Sequence, residues 1–155
     1  MLTVALLDPT DAAALRDVAE VFDEYRQHYG EPSAREQTGD WLKDQIDHQR
    51  LEVFMARLDN ALVGVATTVA TPASLRLSHY WQIRDLYVVS DARRRGVARA
   101  LLDSVQAAAV AAKASRVSIQ TETHNAAALR LYQASGFTVV EGLETLMLPL
   151  HQNGG

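Results

Sequence analysis

Four arginines flank a glycine between residues 93 and 99. They are Arg93, Arg94, Arg95 and Arg99, and Gly96 lies between the third and the fourth. A helix is predicted to begin at this glycine, and the first turn of a helix presents unpaired N–H groups and the positive end of the helix dipole. Cationic side chains are unfavourable there unless an anion lies nearby. The segment therefore predicts an anion site, for which a diphosphate is a natural occupant.

Gly96 and Ala98 are small residues at this predicted helix start. A larger side chain at either position would hold phosphate groups away from the backbone N–H groups. The alternative interpretation is a solvated surface cluster of arginines beside an incidental glycine. Two other phosphate-binding patterns are excluded, because the sequence has neither the Gly-Lys pair of a P-loop nor a Gly-x-Gly-x-x-Gly fingerprint.

The composition excludes several other kinds of site and reaction. The chain has no cysteine, which excludes disulfides, thiolate metal ligands and a cysteine-linked covalent intermediate. No Gly-x-Ser-x-Gly elbow occurs, and none of the five histidines has a metal-binding spacing, so we expect no metal.

The net charge of −4 argues against a nucleic-acid partner, and no apolar stretch approaches the roughly 20 residues that span a bilayer. We expect a cytoplasmic protein.

The elements around the arginine segment alternate between strands and helices. An apolar stripe from Leu15 to Tyr29 predicts a helix that is capped by Asp8 or Thr10 and ends at Gly30. Further helices are predicted over 33–48, 96–114 and 125–135, and strands over 2–7, 52–58, 61–71, 78–89, 117–122 and 138–149.

This order predicts an α/β or mixed α+β sheet that is covered by helices. Residues 1–150 are expected to form a single domain, and 151–155 a flexible tail. In the second helix, Trp41, Leu42 and Ile46 are predicted to face inward.

Two stretches resemble a known family. The run from Arg93 to Ala98 matches the Arg/Gln-x-x-Gly-x-Gly/Ala signature of the GNAT superfamily of acetyl-CoA-dependent N-acetyltransferases. The run from Asn125 through Leu129 and Tyr132 to Phe137 is similar to that family's Asn-x-x-Ala-x-x-Leu-Tyr-x-x-x-Gly-Phe region. The resemblance covers most of the chain and is most specific between residues 78 and 137.

The resemblance implies a central mixed sheet of about six to seven strands, in which the fourth strand splays from the fifth at a bulge. It also implies that acetyl-CoA is the cosubstrate and lies in the resulting gap. Backbone groups of Leu86, Tyr87 and Val88 would contact the pantetheine arm. The diphosphate would be held by Arg93, Arg94, Arg95, Gly96, Val97, Ala98 and Arg99. Asn125 would touch the cosubstrate, cap the last helix, or do both.

The implied reaction is direct attack of a bound amine on the thioester. The N–H group of Val88 is a candidate to polarise the thioester oxygen. The resemblance places Tyr132 beside the sulfur as the general acid, and the alternative role for its ring is packing against Leu129. Glu122 and Asp85 are the candidate bases; Tyr80 and His124 are weaker candidates, and a water chain could serve instead.

The expected function is therefore acetyl transfer to the primary amine of a small molecule. Residues 29–47 and 71–77 are expected to cover the acceptor side. The alternatives are a non-catalytic regulatory module that binds acyl-CoA, and an N-acetyltransferase that acts on proteins or peptides. No nucleic-acid or membrane partner is expected, and the sequence is compatible with a homodimer.

Overall fold

A computed structural model describes residues 1–151 and contains one five-stranded sheet in the order β1-β2-β3-β4-β5. Neighbouring strands are antiparallel from β1 to β4, whereas β5 runs parallel to β4. The strands are β1 Leu2–Leu6, β2 Glu52–Leu58, β3 Ala61–Ala73, β4 Ser78–Val88 and β5 Val117–Ile119. The helices are α1 Ala12–His28, α2 Arg35–Asp47, α3 Val97–Ala111 and α4 Ala126–Ala134. None of these helices is long and apolar enough to cross a membrane.

The helices cover both faces of the sheet, as the predicted order of elements implied. Val18 of α1 and Leu42 of α2 are fully buried in the core on one face. Leu101 of α3 is fully buried in the core on the other face. Gly64 of β3 permits close approach of α3, because a Cβ atom there would lie 2.9 Å from Cγ1 of Val97. The N-terminal turn of α3 therefore packs directly against the sheet.

The start of α1 differs from the prediction. Asp11, not Asp8 or Thr10, caps the helix, and its Oδ1 accepts a hydrogen bond of 3.0 Å from the N–H group of Ala14. Asp8 instead accepts hydrogen bonds from the N–H group and the hydroxyl of Thr10, at 2.9 and 2.7 Å. These bonds close the turn between β1 and α1, so Asp8 stabilises the turn and Asp11 caps the helix.

The sheet has fewer strands than predicted. The expected count of six to seven was wrong, because residues 138–149 form no strand and the sheet has five. β5 ends at Ile119 rather than at Glu122, since its neighbour β4 diverges beyond that point and no longer pairs with it. Residues 138–149 pair with no strand of the described chain, and a segment forms a strand only where its backbone is paired with another. Of the predicted flexible tail, residues 152–155 lie outside the described residues.

Asp23 joins α1 to the segment that leads into α2. This residue is 2% exposed, and its side chain accepts hydrogen bonds from Ser33 Oγ at 2.8 Å, Ala34 N–H at 2.9 Å and Arg26 Nη1 at 3.0 Å. Burial acts to raise the pKa of Asp23, but these hydrogen bonds outweigh it and hold the pKa below its usual range. The ionised carboxylate is therefore the form that stabilises this helix pair.

Asp23→Asn is expected to lower the free energy of unfolding by about 1.5–3 kcal/mol at neutral pH, because hydrogen bonds to a charged acceptor are lost in a buried site. A folded-state pKa below the unfolded one gives stability that is present above the unfolded pKa of about 3.9 and is lost as the pH falls. The difference between wild type and variant should therefore shrink in acid. Urea titrations at several pH values measure it, with exposed Asp40→Asn as the matched control.

Candidate active site

The β4–β5 pair opens into a gap. β4 pairs with β5 only over Trp81–Ile83, although β4 continues to Val88. At the point of divergence Arg84 is an extra residue in β4, because Asp85 pairs with Thr67 while Ile83 pairs with the next residue of β3. Such a bulge increases the local bend and twist of a strand. It turns the second half of β4 away from β5, as the splayed pair was predicted to do.

The open edge of β4 presents backbone groups to this gap. The N–H group of Val89 bonds to the carbonyl of Val63 on β3, at 2.9 Å. Backbone groups alternate in direction along a strand, so the N–H groups of Leu86 and Val88 face the gap. The carbonyl of Val88 points the same way and accepts a hydrogen bond of 3.0 Å from Nε of Arg93. The Val88 N–H group is thus placed to donate to a ligand in the gap.

The start of α3 lies at one end of the gap. Gly96 is the N-cap residue, with a φ of 81° that disfavours any residue with a Cβ, and open space surrounds the position a Cβ would take. Its carbonyl accepts the first helical hydrogen bond, from Ala100 N–H at 3.0 Å. Within residues 1–151, no hydrogen bond engages the N–H groups of Val97, Ala98 or Arg99. These three donors are available to an anion.

The four arginines differ in their surroundings. Nε of Arg93 bonds to β4, and Arg99 bonds to Asp103 at 3.1 Å and to the carbonyl of Ala134 at 3.3 Å. Arg94 lines the gap with a φ of 61°, and in the described part of the chain it has no hydrogen bond or ion pair. Arg95 does not line the gap. Arg94 is therefore the arginine most available to an anion at the helix start.

The gap is a cleft of about 600 Å³, a volume within the usual range for a small-molecule site. With the exception of Arg95 and of two weaker base candidates, every residue that the sequence singled out for catalysis or cosubstrate binding lines it. These residues are Asp85, Leu86, Tyr87, Val88, Arg93, Arg94, Gly96, Val97, Ala98, Arg99, Glu122, Asn125 and Tyr132. Tyr80 and His124, the weaker candidates, do not line the cleft.

Tyr132 lies half-buried on α4 at the cleft wall. Its ring packs edge-on against Phe137, with 6.1 Å between the ring centroids. Burial, with a smaller contribution from nearby Tyr29, raises the pKa of Tyr132, so the phenol keeps its proton at neutral pH. No hydrogen bond among the described residues engages its hydroxyl. The ring has a structural role, whereas the hydroxyl has no protein partner.

Asp85 lies at the bulge and is held by two hydroxyl donors. Tyr25 Oη donates to Oδ1 at 2.9 Å, and the Thr67 hydroxyl donates to Oδ2. Burial raises the pKa of Tyr25, and the charge and hydrogen bond of Asp85 raise it further, so Tyr25 stays protonated as a donor. No local sequence signal points to Tyr25 or Thr67, because the fold brings them to Asp85 from α1 and β3.

Glu122 and Asn125 lie at the opposite wall of the cleft. The Glu122 side chain is 67% exposed, and its Oε2 lies 2.9 Å from Nε2 of His124. Asn125 caps α4, since its Oδ1 accepts a hydrogen bond of 3.1 Å from Ala128 N–H. Its predicted capping role is confirmed, and the same residue also lines the cleft.

A second cavity of about 740 Å³ adjoins the cleft. Both are lined by Tyr25, Tyr29, Arg84 and Asp85. The inward orientation predicted for Trp41 was wrong: this residue is 50% exposed and lines the second cavity, as does Tyr29, which is 66% exposed. Aromatic residues at the margin of an apolar helix stripe can face either a core or a cavity, and their spacing does not distinguish the two.

Comparison with known proteins agrees with this arrangement. Residues 17–137 match the Acetyltransferase (GNAT) family. The chain belongs to the GNAT acetyltransferase family. Among curated proteins, it is 28% identical over 128 residues to the uncharacterised N-acetyltransferase YhfO of Bacillus subtilis (strain 168), covering 83% of this chain and 84% of that protein.

Solved structures share the fold of this GNAT chain. A crystal structure of a probable acetyltransferase is 25% identical and superposes with a TM-score of 0.88, covering 97% of this chain and 99% of that one. An aminoglycoside acetyltransferase, meta-AAC0020 from an uncultured soil metagenomic sample, is 19% identical with a TM-score of 0.81 and covers 97% of each chain. At 19% identity the second likeness shows the fold alone.

Proposed function

We propose that this GNAT protein transfers the acetyl group of acetyl-CoA directly to the primary amine of a small molecule. The observation that carries the proposal is the continuity of the cleft. It begins at the unpaired N–H groups of α3, follows the open edge of β4, and ends between Tyr132 and Asp85. N–H groups that can bind an anion, an unpaired strand edge and two titratable side chains thus follow one another along the cleft. The diphosphate, the pantetheine arm and the thioester follow one another in the same order along acetyl-CoA.

The residues present fit coenzyme A. The diphosphate can accept hydrogen bonds from the backbone N–H groups of Val97, Ala98 and Arg99. The Arg94 guanidinium can pair with it without breaking an existing hydrogen bond or ion pair. The missing Cβ at Gly96 leaves space for the phosphates. Along β4, the N–H groups of Leu86 and Val88 pair with the amides of the pantetheine arm, much as a neighbouring strand would.

The chemical step joins the amine nitrogen to the thioester carbonyl carbon and breaks the carbon–sulfur bond. The Val88 N–H group donates to the carbonyl oxygen as negative charge develops there. Tyr132 donates its phenolic proton to the departing sulfur, which is a role open to a hydroxyl without a protein partner. The nitrogen loses a proton as the amide forms, and a proton returns to the Tyr132 phenolate, so the enzyme is regenerated. The products are the N-acetylated amine and coenzyme A with a free thiol.

Asp85 is the base that the arrangement favours over Glu122. Two hydroxyl donors fix its carboxylate at the junction between the cleft and the second cavity. Glu122 is exposed and already paired with His124. An amine that reaches the thioester from the second cavity must pass Asp85, which can take the ammonium proton before attack.

The second cavity is the proposed acceptor site. Its rings, from Tyr25, Tyr29 and Trp41, offer faces that attract an ammonium group. Its charged lining residues are of both signs, and they are Glu31, Asp85, Arg26, Arg50 and Arg84. Helix α2 and the end of α1 bound the space, which suits a small molecule better than an extended peptide. An amine-bearing small molecule is therefore the acceptor class we propose.

Steady-state assays with an amine panel test this function. We expect acetyl-CoA and at least one class among polyamines, aminoglycosides and amino acids to give amine-dependent release of free thiol, with peptides much slower. Mass spectrometry should find one acetyl group on the amine. Cosubstrate binding without turnover on any amine would contradict catalysis and favour the regulatory alternative.

The same assay discriminates between the candidate bases. Asp85→Asn should lower kcat by about 100-fold or more, in the range typical of general acid–base catalysis. Glu122→Gln, the matched control, should leave kcat within a few-fold of wild type. Equal losses in the two variants, or a loss only in Glu122→Gln, would contradict the assignment of Asp85.

A further inference from the structure

Arg84 and Asp85 are the residues of β4 that line the second cavity, and both also line the cleft. Successive side chains of a regular strand point to opposite faces of the sheet, so two neighbours would not normally line one cavity on one face. Arg84 is the extra residue of the bulge in β4, and a bulge changes the direction in which a side chain points. The bulge thereby brings a positive and a negative side chain to the junction of the two spaces.

The Arg84 guanidinium has no hydrogen bond or ion pair among residues 1–151. Burial is the main cause that raises the pKa of Tyr25, and the Asp85 charge adds to it, whereas the Arg84 charge acts in the opposite direction. Arg84 therefore lies near the Tyr25 hydroxyl that donates to Asp85. Its guanidinium is available to an anionic group of a ligand at this junction.

The other two arginines of the second cavity already have acidic partners. Nη1 of Arg26 lies 3.0 Å from Oδ1 of Asp23, and Nη1 of Arg50 lies 4.0 Å from Oδ2 of Asp44. All three arginines repel an acceptor that carries several ammonium groups, such as a polyamine. Arg84 is the one of the three whose charge a ligand can neutralise without breaking an existing pair.

Part of the wall of the second cavity is apolar. Phe22 and Trp41 stack with 6.5 Å between their ring centroids, and Leu51 and Val69 line the same space. Glu31 lines the second cavity but not the cleft, so Asp85 is the carboxylate at the junction of the two spaces. The cavity therefore suits an acceptor with an apolar group and with its charged groups close together.

We propose that the acceptor is an α-amino acid with an apolar side chain, whose ammonium group faces Asp85 and whose carboxylate is bound by Arg84. The two charged groups of an α-amino acid are attached to the same carbon atom, so they can meet two neighbouring side chains of opposite charge at once. A guanidinium can bind a carboxylate through two parallel hydrogen bonds, which fix its orientation. This inference rests on the proposed function and narrows its acceptor class.

The assignment also separates a free amino acid from a peptide. A peptide with a free N-terminus has an amide beside its first α-carbon, where an amino acid has a carboxylate. An amide carries no charge for the Arg84 guanidinium to neutralise. We therefore expect Arg84 to act as a specificity-determining residue that favours free amino acids over peptides and over simple amines.

Titration calorimetry in the presence of excess coenzyme A tests this role. The probes are phenylalanine, leucine and methionine, each compared with its primary amide, which keeps the amine and the side chain but removes the negative charge. At least one acid should bind the wild type about 10- to 100-fold more tightly than its amide, since the amide loses hydrogen bonds between charged groups. In Arg84→Gln this ratio should fall to near one, whereas Arg84→Lys, which keeps the charge, should retain part of it.

Arg76→Gln is the matched control, because Arg76 is exposed and lines neither the cleft nor the second cavity. Its ratio should equal that of wild type. A ratio near one in wild type, a ratio that persists in Arg84→Gln, or no binding of any of the three acids would overturn the inference.

Release of free thiol from acetyl-CoA with the same probes tests the proposed function separately. Acid-selective binding without turnover would contradict acetyl transfer, and it would still support the assignment of the carboxylate to Arg84. Turnover with equal kcat/KM for an acid and its amide would support acetyl transfer and overturn the role of Arg84.

Discussion

Replacement of Tyr132 by phenylalanine is expected to lower kcat about 100- to 10,000-fold, the range that general acid catalysis usually contributes. The hydroxyl is proposed to act only as the thiolate departs, so KM for acetyl-CoA should change little. Thermal stability should also change little, because the hydroxyl has no hydrogen-bond partner among the described residues and the ring is retained. Steady-state kinetics and a melting curve on one preparation measure all three quantities.

Tyr80→Phe is the matched control for this substitution. Tyr80 also loses one hydroxyl, but its ring lies under the Arg116 guanidinium, 3.9 Å from ring centroid to Cζ, and it does not line the cleft. Its kcat should equal that of wild type. Normal turnover in Tyr132→Phe would mean that water or another group supplies the proton. A large loss of stability would instead assign the hydroxyl a structural role.

Gly96→Glu is expected to abolish measurable coenzyme A binding. A carboxylate at this position occupies the open space beside the α3 N–H groups and repels the diphosphate. Loss of two charge-assisted hydrogen bonds, at about 1.5–3 kcal/mol each, corresponds to at least about a hundredfold in Kd. Titration calorimetry of the folded variant against wild type measures the effect.

Gly96→Glu also carries a backbone cost, which needs its own control. A φ of 81° is strained for glutamate by about 1–2 kcal/mol. Gly30→Glu imposes a similar strain, since Gly30 has a φ of 90° and open surroundings, but it does not line the cleft. This control should bind coenzyme A as wild type does. Unchanged affinity in Gly96→Glu would place the phosphates elsewhere.

Local signals in the sequence predicted much of this fold and site. The Asp59-Asn60 pair predicts a turn with positive φ, and the two φ angles are 50° and 72°. A helix is likewise predicted to begin at Gly96, and this residue is the N-cap of α3. Such features depend on a few neighbouring residues, so their outcome is largely independent of the rest of the chain.

Features that depend on distant residues could not be predicted. Asp85 and Tyr25 are 60 residues apart, and nothing in either local sequence indicates their hydrogen bond. The strand predicted over 138–149 has strand-like residues, but a strand forms only when it pairs with another, and these residues pair with no strand of the described chain. Trp41 fits an inward position by spacing, yet the interior on that side is a cavity.

Binding of coenzyme A to the wild-type protein tests the central claim most directly. Titration calorimetry should show one molecule bound per chain, and a melting curve with coenzyme A should shift upward, because a ligand that binds only the folded state stabilises it. AMP, which lacks the diphosphate and the pantetheine arm, should give little shift. Absence of any heat or shift with millimolar coenzyme A would contradict the assignment of the cleft, whereas saturable one-to-one binding is the result that the account predicts.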